Sequence, residues 1–295
     1  MKIVVTGSLG NISKPLTQTL LQKGYEVIVI SSSADKKVDI EALGAIAAIG
    51  SLQDTDFLTA TFRGADVVYA MIPPNFAAAD PLAHYDAIGN SYAQAIEKSG
   101  IKRVVNLSSW GAHLAEGTGM IVGSHRVEEI LNKLTGVDIT YIRPGSFYYN
   151  LLHNIDMIKT AGFIGTNFGG DDKLVMVSPE DIATAIVEEI EQPSTGNKVR
   201  YVASDERSCN EIASVLGAAI GKPDLKWLLF TDEQVKAAME ENHVPAIFAD
   251  KLVELNAAIH SGLMREDYDL HPPAVMGKVK LEDYAQEFAA AFNAN

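Results

Sequence analysis

Met1-Lys-Ile-Val-Val-Thr-Gly-Ser-Leu-Gly-Asn-Ile-Ser13 opens the chain. The apolar run 3–5 has the character of a buried strand, and it stops at Gly7. Gly10 comes next, and the amphipathic stretch 12–23 predicts a helix. A strand that ends in glycines and feeds a helix is a place for a pyrophosphate. Gly7 permits the tight turn and Gly10 lets the backbone approach the phosphates, whose charge the helix dipole and free N–H groups favour. The spacing Gly7-x-x-Gly10-x-x-Ser13 is a relative of the glycine fingerprint, with serine as the third small residue. An ordinary strand–turn–helix carries the same local pattern, so the signal gains weight only from the rest of the chain. The candidate cradle consists of Thr6, Gly7, Leu9, Gly10, Asn11 and Ile12.

Beyond this opening, strands and helices alternate. Strands are predicted at 25–30 (YEVIVI), 45–49, 66–71 (DVVYAM) and 103–107 (RVVNL), with a sixth ending at Arg143-Pro144. Helical segments lie between most of them, as parallel crossovers require. This is the pattern of an α/β fold with a doubly wound parallel sheet and right-handed crossovers. Ser178-Pro179-Glu180-Asp181 reads as an N-cap, a proline at the first helical position and acids in the first turn, opening a helix to about residue 191. A strand at 198–203 returns to the main sheet, and amphipathic helices are expected at 208–220, 231–241 and 245–260. The expected organisation is a nucleotide-binding domain over 1–150, joined by a helix and strand around 178–204. Residues 151–295 form mainly a smaller mixed α/β substrate or cap portion. Phe163, Phe168, Trp227, Phe230, Phe248, Met264 and Tyr268 are candidates for an apolar pocket there, with core packing as the ordinary reading of each.

Composition narrows the partners. Among 295 residues, 24 Lys and Arg face 38 Asp and Glu, a formal charge of −14, and no local basic patch interrupts it. Such a surface repels nucleic acid. The single Cys209 allows no intramolecular disulfide and fits a reducing, cytoplasmic setting. No signal core or membrane-length apolar run is visible, so no membrane association is expected. The histidines at 84, 113, 125, 153, 243, 260 and 271 show no metal-ligand spacing, and no metal is expected.

The end of the second strand should read the adenosine ribose. An acid there takes the 2′-hydroxyl and selects NAD. Here stand Ser31, Ser32 and Ser33, then Ala34-Asp35-Lys36-Lys37. Three hydroxyls and the Lys36 and Lys37 cations suit a 2′-phosphate and favour NADP, with NAD still possible because Asp35 is close by. A solvated serine turn with a surface lysine pair is the plainer alternative. Ser51 and Leu52 come after the third strand, beside the expected adenine. Met71, Ile72 and Pro73 come after the fourth, as an apolar wall against the nucleotide or a simple loop closure.

Thr6-Gly7-x-x-Gly10, Gly100-Ile-Lys-Arg-Val-Val-Asn-Leu-Ser-Ser109, Tyr141-Ile-Arg-Pro-Gly-Ser-Phe147 with Asn150, and Ser178-Pro-Glu-Asp-Ile-Ala183 run nearly end to end. In this order and spacing the chain resembles an NmrA-like member of the atypical short-chain dehydrogenase/reductase superfamily. The resemblance implies a Rossmann domain that binds NAD(P), and a smaller C-terminal part that closes over the nicotinamide. It also implies one of two roles: reduction of quinones, dyes or other small acceptors, or nucleotide sensing without turnover. Enzymes of the wider superfamily use a Tyr-x-x-x-Lys pair. Counting back from Arg143, the family's glutamate falls at Glu129, the lysine position at His125 and the tyrosine position at Ile121. Isoleucine moves no proton, so the usual acid is missing. A one-residue shift would place Ser124 at the lysine position instead.

Ser108 and Ser109, after the fifth strand, lie where ligands of open α/β sheets bind and can donate to the nicotinamide or to an acceptor carbonyl. His125 and Ser109 are the candidate catalytic residues. Ser108, His125, Pro144 and Phe147 are candidates for contact with the cofactor. Each also has a structural reading, as a strand-end cap or a packed side chain. A hydrolase lacks its G-x-S-x-G elbow here, and a sugar-nucleotide epimerase would need the missing tyrosine. The resulting expectation is an NADPH-dependent reductase, monomer or homodimer, that transfers a hydride to a small apolar acceptor such as a quinone. A non-catalytic NADP-binding redox-sensing regulator is the alternative.

Overall fold

The computed structural model describes residues 1–75, 77–193 and 195–294. Its largest sheet begins with β1 (Lys2–Val5), β2 (Glu26–Ser31), β3 (Ile46–Ile49), β4 (Val67–Ala70), β5 (Arg103–Leu107) and β6 (Asp138–Pro144). These pair in parallel in the order β3-β2-β1-β4-β5-β6. Lys198–Val202 completes the seven-stranded sheet beside β6. The chain winds outward from β1 in one direction to β3, then starts again at β4 on the other side. That reversal leaves a crevice at the carboxyl ends of β1 and β4, where ligands of such sheets bind.

The helices that cover the sheet are α1 (Ser13–Gln22), α2 (Lys36–Ala42), α3 (Thr55–Phe62), α4 (Pro81–Ser99) and α5 (Ile121–Leu131). Their ends are written in the sequence. An Asp54 oxygen accepts from the N–H groups of Asp56 and Phe57 to start α3. Asp80 does the same for α4, with Pro81 behind it, and Gly100 closes α4 in a left-handed conformation at φ 79°. Ile88, Tyr92, Ala95 and Ile96 line one face of α4 at helical spacing and pack with Leu58, Phe62, Val68 and Val104 in one core. Each such side chain contributes about 1.5–3 kcal/mol when removed from water. The inner strands β2 and β4 are apolar on both faces, as a sheet covered on both sides demands.

The chain divides into two units. The first comprises Met1–Ala112, Gly123–Arg143 and Ile182–Arg200, and the second His113–Val122, Pro144–Asp181 and Tyr201–Asn295. The main cut thus falls at 143/144, where β6 ends, and 113–122 goes with the second unit. Several short strands outside the main sheet escaped the sequence reading: β7 (Ser146–Phe147), β8 (Ile164–Thr166) and β9 (Lys173–Val177). With Lys198–Val202 as β10, the later strands are β11 (Asp205–Ser208) and β12 (Trp227–Leu229). They form a three-stranded sheet β11-β9-β7 and a pair β12-β8. The two or three residues of β7, β8 and β12 carry too little alternation to be read as strands, whereas β9 is a five-residue run, apolar after Lys173, that the sequence reading passed over. The expected helices are present as α8 (Cys209–Ala219), α9 (Asp232–Glu241) and α10 (Ala246–His260), after α6 (Ile155–Thr160) and α7 (Pro179–Glu191). α11 (Glu266–Leu270) and α12 (Leu281–Ala294) complete the chain. Phe168 and Trp227 pack on each other, and the Trp227 indole donates to the Phe168 carbonyl, so these two candidate pocket residues are core. Met264 and Tyr268 are buried as well. No helix of the described residues is long and apolar enough to cross a membrane.

Asp181 is the polar centre of the second unit. Its carboxylate accepts from Ser204 Oγ at 2.6 Å and from the N–H groups of Lys278 and Val279 at 3.0 and 3.1 Å. Next to it, burial alone would raise the Asp205 carboxyl. Arg207 Nε and the N–H groups of Leu281 and Glu206 overcome that and hold it below its ordinary range. Asp181→Ala strands the buried Ser204 hydroxyl and two partly buried N–H donors and is expected to destabilise the chain by about 3 kcal/mol, read from the urea midpoint. Because the folded Asp205 is the stronger acid, its contribution is present above the unfolded value of 3.8 and is lost as pH falls below it. Asp205→Asn should flatten that acid limb.

Candidate functional site

The carboxyl end of β1 is tied in three directions. The Thr6 N–H continues the ladder to the Tyr69 carbonyl at 3.1 Å, and Thr6 Oγ1 accepts from the Met71 N–H at 2.8 Å, fastening β1 to the end of β4. Ser13 Oγ donates to the Thr6 carbonyl at 2.8 Å and holds the first turn of α1 against the strand. Ser8, left-handed at φ 55°, donates its N–H to the Ile30 carbonyl and its hydroxyl to Ser31 Oγ, both at 3.0 Å. Gly7 sits inside this knot at φ 90°. A Cβ there would lie 2.5 Å from Ser13 Oγ and 2.9 Å from Met71 Sδ. The third small residue of the motif is therefore required by contact: Ser13 occupies the space that glycine leaves.

The loop then opens outward. Gly10 and Asn11 are exposed, and Ser8 and Leu9 are half-buried. No side chain caps α1 at Ile12, and its first turn holds no acid. The aspartate caps of α3 and α4 are absent here. An uncapped N-terminus behind a glycine turn presents N–H groups to an anion.

The residues at the end of β2 divide. Ser31 is 3 % exposed, and its hydroxyl is used by Ser8 and by the Ser33 N–H. It braces the glycine loop, which corrects the expectation of three equivalent hydroxyls. Ser32, Ser33 and Lys36 are exposed, and Lys36 touches only Asp39, at 3.5 Å. Such an exposed pair is worth little. Ser51 is exposed and caps its own turn through the Gln53 N–H, while Leu52 packs against the core. After β4, Met71 is half-buried, Ile72 buried and Pro73 exposed. The Tyr92 hydroxyl holds the Met71 carbonyl at 2.6 Å, and His84 Nε2 donates to the Pro73 carbonyl at 3.0 Å, so this turn is set from α4.

The end of β5 carries a buried ion pair. Arg143, 7 % exposed, grips Glu128, 5 % exposed, through Nε at 3.0 Å and Nη2 at 2.7 Å. The Ser108 hydroxyl donates to the same carboxylate. Ser108 thus has no hydroxyl hydrogen for a nicotinamide or an acceptor carbonyl, which corrects the donor role expected of it. Ser109 donates to the Trp110 carbonyl at 3.1 Å. The buried acid is Glu128, whereas Glu129 is exposed. Counted from Glu128, the lysine position falls on Ser124 and the tyrosine position on Met120. His125 lies next to it, half-buried, with Nδ1 3.0 Å from the Ala112 carbonyl. A carbonyl only accepts, so Nδ1 carries the hydrogen and Nε2 of the neutral ring has a lone pair to offer.

Two groups of this edge escaped the sequence reading. One is the Glu128 partnership, whose signal was an acid beside Val127 on the buried face of α5. The other is Tyr85, whose ring covers Gly123 so closely that a Cβ there would lie 2.6 Å from Tyr85 Cγ. Burial raises its hydroxyl pKa. Its signal was position, two turns before Tyr92 on the same face of α4. Pro144 and Phe147 belong to the second unit, with Pro144 buried and the Phe147 ring 5.1 Å from that of Tyr149. No cluster of three or more metal-ligating side chains occurs among the described residues. Gly7→Ala is expected to lower the urea midpoint by an amount equivalent to about 1–3 kcal/mol, because it meets two side chains and a positive φ together. Gly10→Ala, at a position with only one contact, at 3.1 Å, should change it far less.

Comparison with known proteins places this geometry. The NmrA-like family matches residues 1–261. An NAD(P)H azoreductase of Xenophilus azovorans is 26% identical over 298 residues, which cover 99% of both chains. Two solved structures share the fold at 18% identity. An NADPH-dependent quinone oxidoreductase of Escherichia coli superposes at a TM-score of 0.79, covering 97% of this chain and 98% of that one. The triphenylmethane reductase of Citrobacter superposes at 0.78, covering 98% and 100%. With its sheet order, its glycine turn and a match over residues 1–261, this chain belongs to the NmrA-like family.

Proposed function

We propose that this chain is an NAD(P)H-dependent reductase, preferring NADPH, that passes a hydride to a small apolar acceptor such as a quinone or a dye. The observation that carries the reading is the turn at Gly7. It holds the N-terminus of α1 uncapped against the end of β1, with no room for a side chain at the turn. A full-length relative that is an NAD(P)H azoreductase supports a reductase over a regulator.

The residues fit the nucleotide. The α1 N-terminus and the backbone of 7–12 take the pyrophosphate. The end of β2 holds no carboxylate; Ser32, Ser33 and Lys36 face solvent there and suit a 2′-phosphate. Were the pyrophosphate held at β1 and the adenosine read at the ends of β2 and β3, the residues after β4 and β5 would hold the other half of the cofactor. Met71, Ile72 and Pro73 then form an apolar wall, and His125 Nε2 accepts from a ribose hydroxyl, or donates a proton when the ring is charged. When bound, the nucleotide supplies a hydride from its nicotinamide. A quinone or dye spreads the arriving charge over its conjugated system and takes its proton from water or His125. The chain therefore supplies orientation and an apolar wall in place of the missing tyrosine.

The direct test incubates purified protein with NADPH labelled with deuterium at C4 and a panel of quinones, azo dyes and triphenylmethane dyes. Oxidation of NADPH that requires an acceptor, with deuterium lost stereospecifically from one face of C4, is the expected result. Binding of NADPH with no oxidation across the panel would overturn the reductase reading. Lys36→Glu places a carboxylate beside the 2′-phosphate. It should raise the Kd for NADPH roughly 5- to 20-fold while leaving that for NADH nearly unchanged, consistent with the strength of a charge-assisted contact.

A further inference from the structure

We infer that Glu128 and Arg143 make Ser108 a pure hydrogen-bond acceptor, and that this acceptor reads the carboxamide NH2 of the cofactor's nicotinamide instead of the oxygen of the substrate. The inference rests on the nucleotide reading above. Ser108 directly follows β5, and its N–H still donates to the Ile142 carbonyl of β6 at 2.7 Å. Its hydroxyl hydrogen is committed to Glu128. That commitment has a fixed direction. A guanidinium has donors only, so both carboxylate oxygens accept from Arg143, and the carboxylate has no hydrogen to return. Both hydrogens that Ser108 owns are therefore spent inside the protein. What remains for a ligand is the lone pairs of its oxygen.

This decides which groups Ser108 can serve. An oxidised quinone or azo acceptor offers lone pairs and no N–H or O–H, so an acceptor-only hydroxyl gives it nothing and would oppose charge building on its oxygen. Over β4 and β5 the nucleotide offers two kinds of donor, the carboxamide NH2 and the ribose hydroxyls. The ribose already has the lone pair of His125 Nε2. Ser108 is left for the carboxamide, whose orientation sets which face of the nicotinamide ring meets the acceptor. Glu128 and Arg143 touch neither cofactor nor substrate in this scheme. They are positioning residues, and their burial explains itself: a buried charge pair is expensive, and here it fixes the direction of one hydrogen.

The test compares NADP⁺ with its 3-acetylpyridine analogue, in which a methyl group replaces the carboxamide NH2. The Kd of each, and of 2′,5′-ADP, is measured calorimetrically. Wild type should bind NADP⁺ roughly 3- to 10-fold more tightly than the analogue, the range of one net hydrogen bond. Ser108→Ala keeps the Glu128–Arg143 pair. It should bring the ratio close to one while 2′,5′-ADP binding is unchanged, and Ser108→Thr should restore the ratio. Glu128→Leu combined with Arg143→Met removes the lock without leaving a lone buried charge, and should lower the ratio likewise; if that variant does not fold, Ser108→Ala alone decides.

A wild-type ratio near one, or a ratio untouched by Ser108→Ala, would overturn the inference. So would loss of 2′,5′-ADP binding in Ser108→Ala, which would mark Ser108 as structural only. Wild type that binds neither NADP⁺ nor 2′,5′-ADP would instead overturn the nucleotide reading itself, and the inference with it.

Discussion

The site depends on one close approach: at Gly7 the first turn of α1 comes so near the end of β1 that a methyl group has no place. Three hydroxyls hold that approach. Thr6 binds the start of the turn after β4, Ser13 binds back to Thr6, and Ser8 binds across to the end of β2. Three strand ends and a helix end are thereby fixed within one turn of chain. No side chain caps the helix, and with the Lys14 N–H taken by the Gly10 carbonyl and none on Pro15, the donors for an anion are the backbone N–H groups of 11–13. Because these donors are set in place by the fold, binding an anion to them requires little further ordering.

Electrostatics reinforce the same edge. The chain is strongly acidic overall, yet the first turn of α1 has no acid and the end of β2 has no carboxylate until Asp35. Inside the first unit, buried charge is always answered. Glu128 meets Arg143, and Glu189 is surrounded by Arg103, Lys198 and Arg200. The two cases differ in place. Glu189 lies beside cations on β5 and the edge strand and stitches the sheet to α7. Glu128 acts at the carboxyl end of β5, where its carboxylate also accepts from the buried Ser108 hydroxyl. Breaking one member of such a pair costs about 3–5 kcal/mol, while replacing both with apolar groups is often harmless.

Much of this was legible in the chain itself. Six strands of the main sheet lie where apolar runs between glycine and proline punctuation place them, and Ser178-Pro179 opens α7 with Ser178 Oγ accepting from the Asp181 N–H. Local chemistry wrote those signals, so a local reading finds them. Three things were not legible. The short strands β7, β8 and β12 are held by their partners and carry no periodic pattern of their own. The inward turn of Ser31 depends on Ser8, distant in sequence, and three consecutive serines look alike until one is buried. The exchange of Glu129 for Glu128 turns on which side of α5 faces β6, a matter of helix phase that two adjacent glutamates conceal. That one-residue difference moves the lysine position of the family from His125 to Ser124, and it leaves His125 with a role set by its own bond to Ala112.

Calorimetric titration of the purified, nucleotide-free chain with NADPH, with NADH as the control, bears most directly on the glycine turn as a nucleotide cradle. Saturable binding of one NADPH per chain, tighter than NADH, is the result this structure leads to. Binding of neither nucleotide would mean that the knot around Gly7 serves the fold alone, and the reductase reading would fall with it.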